Sequence, residues 1–148
     1  MPDVTHRTRP SRPPRTAPAP DRRRVLGRLG EDLAAAHFKR LGFATLARNV
    51  RTRAGEIDLI VFDPPTRTLV FAEVKTRADA GRGRREGVDP LSSLSLGQRR
   101  RLRRLAVAWL SDSRRERPFA RTLRFDAVGV LVDGDGRLLR LDHLEGAW

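Results

Sequence analysis

The stretch Gly55-Glu56-Ile57-Asp58-Leu59-Ile60-Val61-Phe62-Asp63, then Pro64-Pro65-Thr66-Arg67, then Thr68-Leu69-Val70-Phe71-Ala72-Glu73-Val74-Lys75-Thr76-Arg77 decides the reading of this chain. Two runs rich in β-branched and other apolar residues flank a proline-rich turn, the pattern of a β-hairpin. Side chains alternate faces along a strand. Ile57, Leu59 and Val61 are therefore expected on one face, and Asp58 with Ile60 and Phe62 on the other. On the second run Glu73 and Lys75 share a face with Leu69 and Phe71.

If Asp63 and Thr68 close the loop, Asp58 falls opposite Glu73. Opposed Cβ atoms lie roughly 4.5–5.5 Å apart. Two carboxylates that close repel unless a proton or a cation stands between them. A hard cation such as Mg²⁺, with Mn²⁺ as its substitute, suits oxygen ligands. Lys75 points the same way and would orient a water or steady charge on a phosphate. The ordinary alternative is a solvent face carrying a Glu-x-Lys surface pair. Against it, the charges interrupt strongly apolar runs, and only Lys39 and Lys75 are lysines among 31 basic residues. Lysine is a compact point charge and is not interchangeable with arginine.

Working outward, Arg22 to Leu41 reads as an amphipathic helix with Leu26, Leu29, Leu33, Ala36, His37 and Leu41 on its apolar stripe. Glu31 lies at the margin of that stripe, beside Gly27 and Phe38, where it would look toward the polar face of the hairpin or simply into solvent. His37 reads as a core histidine. Gly42 ends the helix. Phe43 to Arg48 reads as a first strand, and Asn49 to Ala54 as a polar lead into the hairpin. Residues 78–90 read as a mobile loop whose Arg82 and Arg84, with Arg77 before them, would touch a phosphate backbone. Leu96 to Ser111 reads as a second helix, with Ser95 and Gln98 forming a capping box. Its apolar stripe is Leu102, Leu105, Ala106, Trp109 and Leu110. Arg99, Arg100, Arg101, Arg103 and Arg104 make the rest a polyanion-facing surface or, one by one, a solvated face. Thr122 to Val132 and Leu138 to Leu141 read as strands joined by the turn Asp133-Gly134-Asp135-Gly136. Asp126 is assigned to structure, and His143 has no partner visible in the sequence. The order predicts an α/β fold, a mixed sheet flanked by helices.

Composition sets the bounds. The 148 residues carry a net charge of +13, and the sequence pI is about 11.7. The first 24 residues hold seven arginines against two aspartates, so the excess extends into the folded part. Such a field suits nucleic acid better than a membrane surface. Much of the preference for arginine over lysine matches a GC-rich coding bias, but the excess of basic over acidic residues does not follow from it. With no cysteine, disulfides and thiolate metal sites are excluded. No apolar run spans a bilayer and no signal core is present, so a cytoplasmic, nucleoid-associated place is expected. Residues 1–22 read as a disordered basic arm rich in proline and arginine.

Five segments together resemble a known family: Gly30-Glu31-Asp32-Leu33-Ala34, Arg48-Asn49, Gly55-Glu56-Ile57-Asp58-Leu59-Ile60, Phe71-Ala72-Glu73-Val74-Lys75-Thr76-Arg77, and Arg124-Phe125-Asp126-Ala127-Val128. They resemble the YraN family of small bacterial proteins, within the PD-(D/E)xK nucleases that include Holliday-junction resolvases. The resemblance covers about residues 24–148 and implies a single restriction-endonuclease-like domain over 23–148. It implies that Asp58, Glu73 and Glu31 hold Mg²⁺, that Lys75 positions the water, and that Gln98 matches a resolvase-type glutamine. The capping box explains Gln98 equally well. Where the family usually has a lysine at the start of this helix, the chain has Gly97-Gln98, and Arg99 or Arg100 would take its place. The implied activity is metal-dependent endonucleolytic cleavage of DNA, with branched or damaged structures favoured by analogy and a symmetric homodimer as the form of such resolvases. A fold hosts many functions. The alternative is a catalytically silent nuclease-fold module that binds nucleic acid within a repair, recombination or uptake complex. RNA binding is a third reading, weakened by the absence of tyrosine and the scarcity of aromatic platforms.

Overall fold

The computed structural model describes residues 21–79, 81 and 89–148. Helix α1 (Arg22–Arg40) is followed by strands β1 (Ala44–Thr52), β2 (Gly55–Asp63) and β3 (Thr68–Ala78), helix α2 (Leu96–Ser111), and strands β4 (Thr122–Val132) and β5 (Leu138–Leu144). The strands form one sheet in the order β1-β2-β3-β4-β5. All neighbours are antiparallel except β3 and β4, which run parallel. The β3–α2–β4 segment supplies the crossover that a parallel pair requires. The fold is therefore α/β, a mixed sheet flanked by two helices, consistent with a nuclease-like core. Among the described residues, no helix is long and apolar enough to cross a membrane.

Local chemistry fixes the ends of the helices. Asp21 accepts the Arg23 N–H at the head of α1, so this residue and Arg22 belong to the folded part. Residues 1–20, nearly all of the expected arm, lie outside the described residues, as do Arg82 and Arg84. Gly42, at φ +92, closes the helix in the left-handed region that favours glycine. At α2 both arms of the capping box form, Gln98 N–H to Ser95 Oγ at 3.2 Å and Ser95 N–H to Gln98 Oε1 at 3.0 Å.

Two cores lie on opposite faces of the sheet. α2 buries Leu102, Leu105, Ala106 and Trp109 against Val50, Ile60, Phe62, Leu69 and Phe71. α1 buries Ala34 and Phe38 against Leu59, Val61, Val70, Ala72, Val128, Val130 and Val132. The face of α1 differs from the expected leucine stripe. Gly30, Ala34 and Phe38 are buried, Leu26, Leu29 and Leu33 flank them, and Ala36 and Leu41 are exposed. Close approach to β3 decides this, because a Cβ on Gly30 would lie 1.8 Å from Thr76 Oγ1. The strands also run further than expected. β1 continues through Asn49 to Thr52 because it pairs with β2, and β5 reaches Leu144. A 3-10 turn at Pro90–Ser93, absent from the sequence reading, packs Leu91 and Pro90 against Gly129.

Candidate active site

The expected register is the observed one. β2 pairs with β3 from Asp63↔Thr68 to Leu59↔Ala72. The next step would set Asp58 against Glu73, but there the two strands part. The first half of β2 follows β1 through Val50↔Ile57 and Thr52↔Gly55, and the second half of β3 follows β4 through Lys75↔Gly129 to Ala78↔Val132. Asp58 stands in the fork. Its Oδ2 accepts the Val74 N–H at 2.8 Å, so a side chain holds the strands where their pairing ends. Strict alternation also breaks here. Ile57 packs with the α2-side core, whereas Leu59 and Val61 face α1.

Glu73 is buried, and Lys75 Nζ donates to its Oε1 at 2.8 Å. Burial, and next the charge of Glu73, push the Asp58 carboxyl up to about 7, against the single Val74 N–H that lowers it. Glu31 adds to the rise and Lys75 subtracts from it, so all four groups share one field.

Glu31 reaches this field because Gly30 lets α1 sit close on β3. Burial raises the Glu31 carboxyl as well, with a hydrogen bond from Asn49 opposing it and the nearby Glu56 adding to it. Its Oε2 is buried without a hydrogen-bond partner. Asn49 adopts φ +50, a left-handed conformation uncommon outside glycine. Three carboxylates, one with an unpartnered oxygen and one with its pKa raised by burial and then by the charge of Glu73, match a hard divalent cation in donor type and charge. Among the described residues, however, no three acidic, histidine or cysteine side chains are placed closely enough to hold a metal ion between them.

The remaining candidates divide. The Gln98 side chain is committed to the capping box. The Arg99 guanidinium lies over Trp148 at 5.6 Å and that of Arg103 over Phe125 at 5.8 Å, so both also brace apolar rings. Arg100 is exposed, and so is Arg77, two residues beyond Lys75. Among the described residues no α2 arginine joins an ion pair.

A second polar group was not legible as such. Fully buried Asp126 accepts from Arg124 at 2.9 and 2.8 Å, from the Gly146 N–H at 3.0 Å and from His143 Nε2 at 2.8 Å. His143 Nδ1 meets His37 Nε2 at 3.0 Å. His37 is thus held by His143, and burial lowers its pKa. The one signal in the sequence was an aspartate on an otherwise apolar strand.

Comparison with known proteins gives the family. The model of "Uncharacterised protein family UPF0102" matches residues 30–130, which span every acidic candidate above. A UPF0102 protein of Mycolicibacterium gilvum (strain PYR-GCK) is 44% identical over 129 residues, covering 85% of this chain and 95% of its own. One from Mycobacterium tuberculosis (strain ATCC 25177 / H37Ra) is 43% identical over 123 residues, covering 82% and 90%. One from Acidothermus cellulolyticus (strain ATCC 43068 / DSM 8971 / 11B) is 43% identical over 116 residues, covering 74% and 83%. The YraN likeness and this match denote the same grouping: the chain belongs to the UPF0102 family.

Proposed function

We propose that the protein is a Mg²⁺-dependent endonuclease that cleaves the phosphodiester backbone of DNA. The observation that carries this reading is the under-satisfied Asp58 carboxylate in the β2–β3 fork, beside Glu73 and within the field of Lys75 and Glu31. Asp58, Glu73 and Glu31 would hold the cation. Bound there, a divalent cation supplies Lewis acidity toward a phosphoryl oxygen and lowers the pKa of water. Lys75, braced by Glu73, directs an ammonium toward the same centre, where it orients the attacking water or steadies charge on the phosphate. Arg77 and Arg100 hold flanking phosphates, which fixes position without reading bases. The net charge of +13 supports DNA as the partner and a place in the cytoplasm, at the nucleoid.

One observation favours the second reading, a binding module without turnover. Glu73 is already paired with Lys75, and no finished shell is present among the described residues. The two readings part on a single assay. Wild type and Asp58→Ala are incubated with duplex, flap and four-way-junction DNA in Mg²⁺ or Mn²⁺. The nuclease reading expects cleavage by wild type and loss of cleavage by about 10²-fold or more in the variant, with DNA affinity kept. Equal cleavage by both removes it, and affinity without cleavage in any metal selects the binding module.

A further inference from the structure

Helix α1 holds two interior glycines, and packing accounts for only one. Gly30 is required by Thr76, as its 1.8 Å clash shows. At Gly27 an added Cβ would meet nothing within 4 Å. Glycine weakens a helix relative to alanine, and here no neighbour demands it. What Gly27 does is floor a polar pocket of about 490 Å³ between α1 and the β1–β2 arm. That volume lies within the range of small-ligand sites.

The walls of the pocket are charged. Arg24, Gly27, Arg28 and Glu31 fall on one helical stripe, and Arg48 and Arg51 face them from β1. Arg48 is paired with Asp32, and Arg51 with Glu56. Arg24 and Arg28 have no carboxylate partner among the described residues. The pocket therefore offers two uncommitted guanidinia, with Glu31 at the junction with the Asp58 fork. Guanidinium forks match phosphate oxygens in geometry and charge.

We propose that this pocket is a phosphate subsite: Arg24 and Arg28 receive a backbone phosphate of the nucleic-acid strand, next to the one facing Asp58, in space left open by Gly27. The identity of the strand rests on the proposed function, while the anion site rests on the pocket alone.

The test needs no cleavage and no metal. Binding of a fluorescein-labelled oligothymidylate is followed by anisotropy in EDTA across a salt series. Wild type, Gly27→Gln and the double variant Arg24→Ala/Arg28→Ala are compared. Glutamine favours the helix, adds no charge and fills the pocket, so Gly27→Gln keeps a Tm at or above that of wild type. Both variants should bind several-fold more weakly, and each log–log salt slope should fall by about one. Gly27→Gln binding with the affinity and slope of wild type would overturn the subsite. Loss in the arginine variant alone would also overturn it, since that reports charge without a pocket. Inorganic phosphate that competes equally well for wild type and Gly27→Gln would likewise place the anion elsewhere. A wild type that binds no oligonucleotide at low salt removes both this proposal and the nucleic-acid reading. Failure of metal binding at Asp58 leaves the result of this test unchanged.

Discussion

Asp58 and Asp126 stand on the strands at either side of β3, both carboxylates withdrawn from solvent, yet their surroundings are opposite. Asp126 is met by the Arg124 guanidinium, the Gly146 N–H and His143. Asp58 is met by one neutral N–H and by two further carboxylates, and the Lys75 ammonium that also acts on it is already held by Glu73. Burial raises the pKa of either carboxyl. At Asp126 the hydrogen bonds from His143, Arg124 and Gly146 outweigh that rise and lower it, whereas at Asp58 the neighbouring Glu73 adds to the rise. A saturated buried charge is structural: it ties β4 to β5, to the C-terminal segment and, through His143, to α1. A buried charge short of donors costs stability and needs another reason for its presence, which a cation or substrate would supply.

The largest expected effect breaks the saturated side. Asp126→Ala leaves Arg124 and His143 without their acceptor, and stability should fall by about 3–5 kcal/mol in urea unfolding. A loss below about 1 kcal/mol would put Asp126 among ordinary surface-like positions and remove the contrast.

The next effect is a difference in pH profile. The folded chain holds a proton on Asp58 up to about pH 7, while the unfolded chain releases it above 3.8. Stability therefore declines as pH rises through that window, by on the order of 4 kcal/mol in all. Asp58→Asn abolishes this decline and should equal or exceed wild type in stability at pH 8. Asp126 has the other sign: its lowered pKa contributes stability above pH 3.8 that is lost on acidification. Urea midpoints across pH measure both. A wild-type profile that is flat from pH 4 to 7 and matches that of Asp58→Asn would mean that Asp58 is not strained.

Much of this was legible in the sequence for local reasons. Capping chemistry fixed α2, and the Pro64-Pro65-Thr66-Arg67 turn fixed the β2–β3 register, because both depend on residues close in the chain. Three features were not. The buried face of α1 follows Gly30, Ala34 and Phe38, since closeness to Thr76 outweighs the greater apolar area of the leucine stripe. Ile57 leaves the face of Leu59 because alternation describes a regular strand, and at Asp58 β2 loses its pairing with β3 while still following β1 past the left-handed Asn49. The ring of donors around Asp126 joins residues from β4, β5 and the C-terminal segment, with His37 of α1 behind His143, and no spacing in the sequence encodes that meeting. At the candidate site, Asp58, Glu73 and Lys75 could be read from period two and register. The buried, unpartnered oxygen of Glu31 and the left-handed Asn49 beside it required the packing of α1.

A cation bound by Asp58, as proposed, would explain why the fork lacks donors. Calorimetric titration of Mn²⁺ into wild type and into Asp58→Asn at pH 8, with circular dichroism to verify the fold, tests it most directly. Wild type should bind and release less heat as pH is lowered below 7, because protons compete for Asp58, and Asp58→Asn should not bind. Equal binding by the two proteins, or none by wild type at millimolar Mn²⁺ with and without DNA, would contradict it.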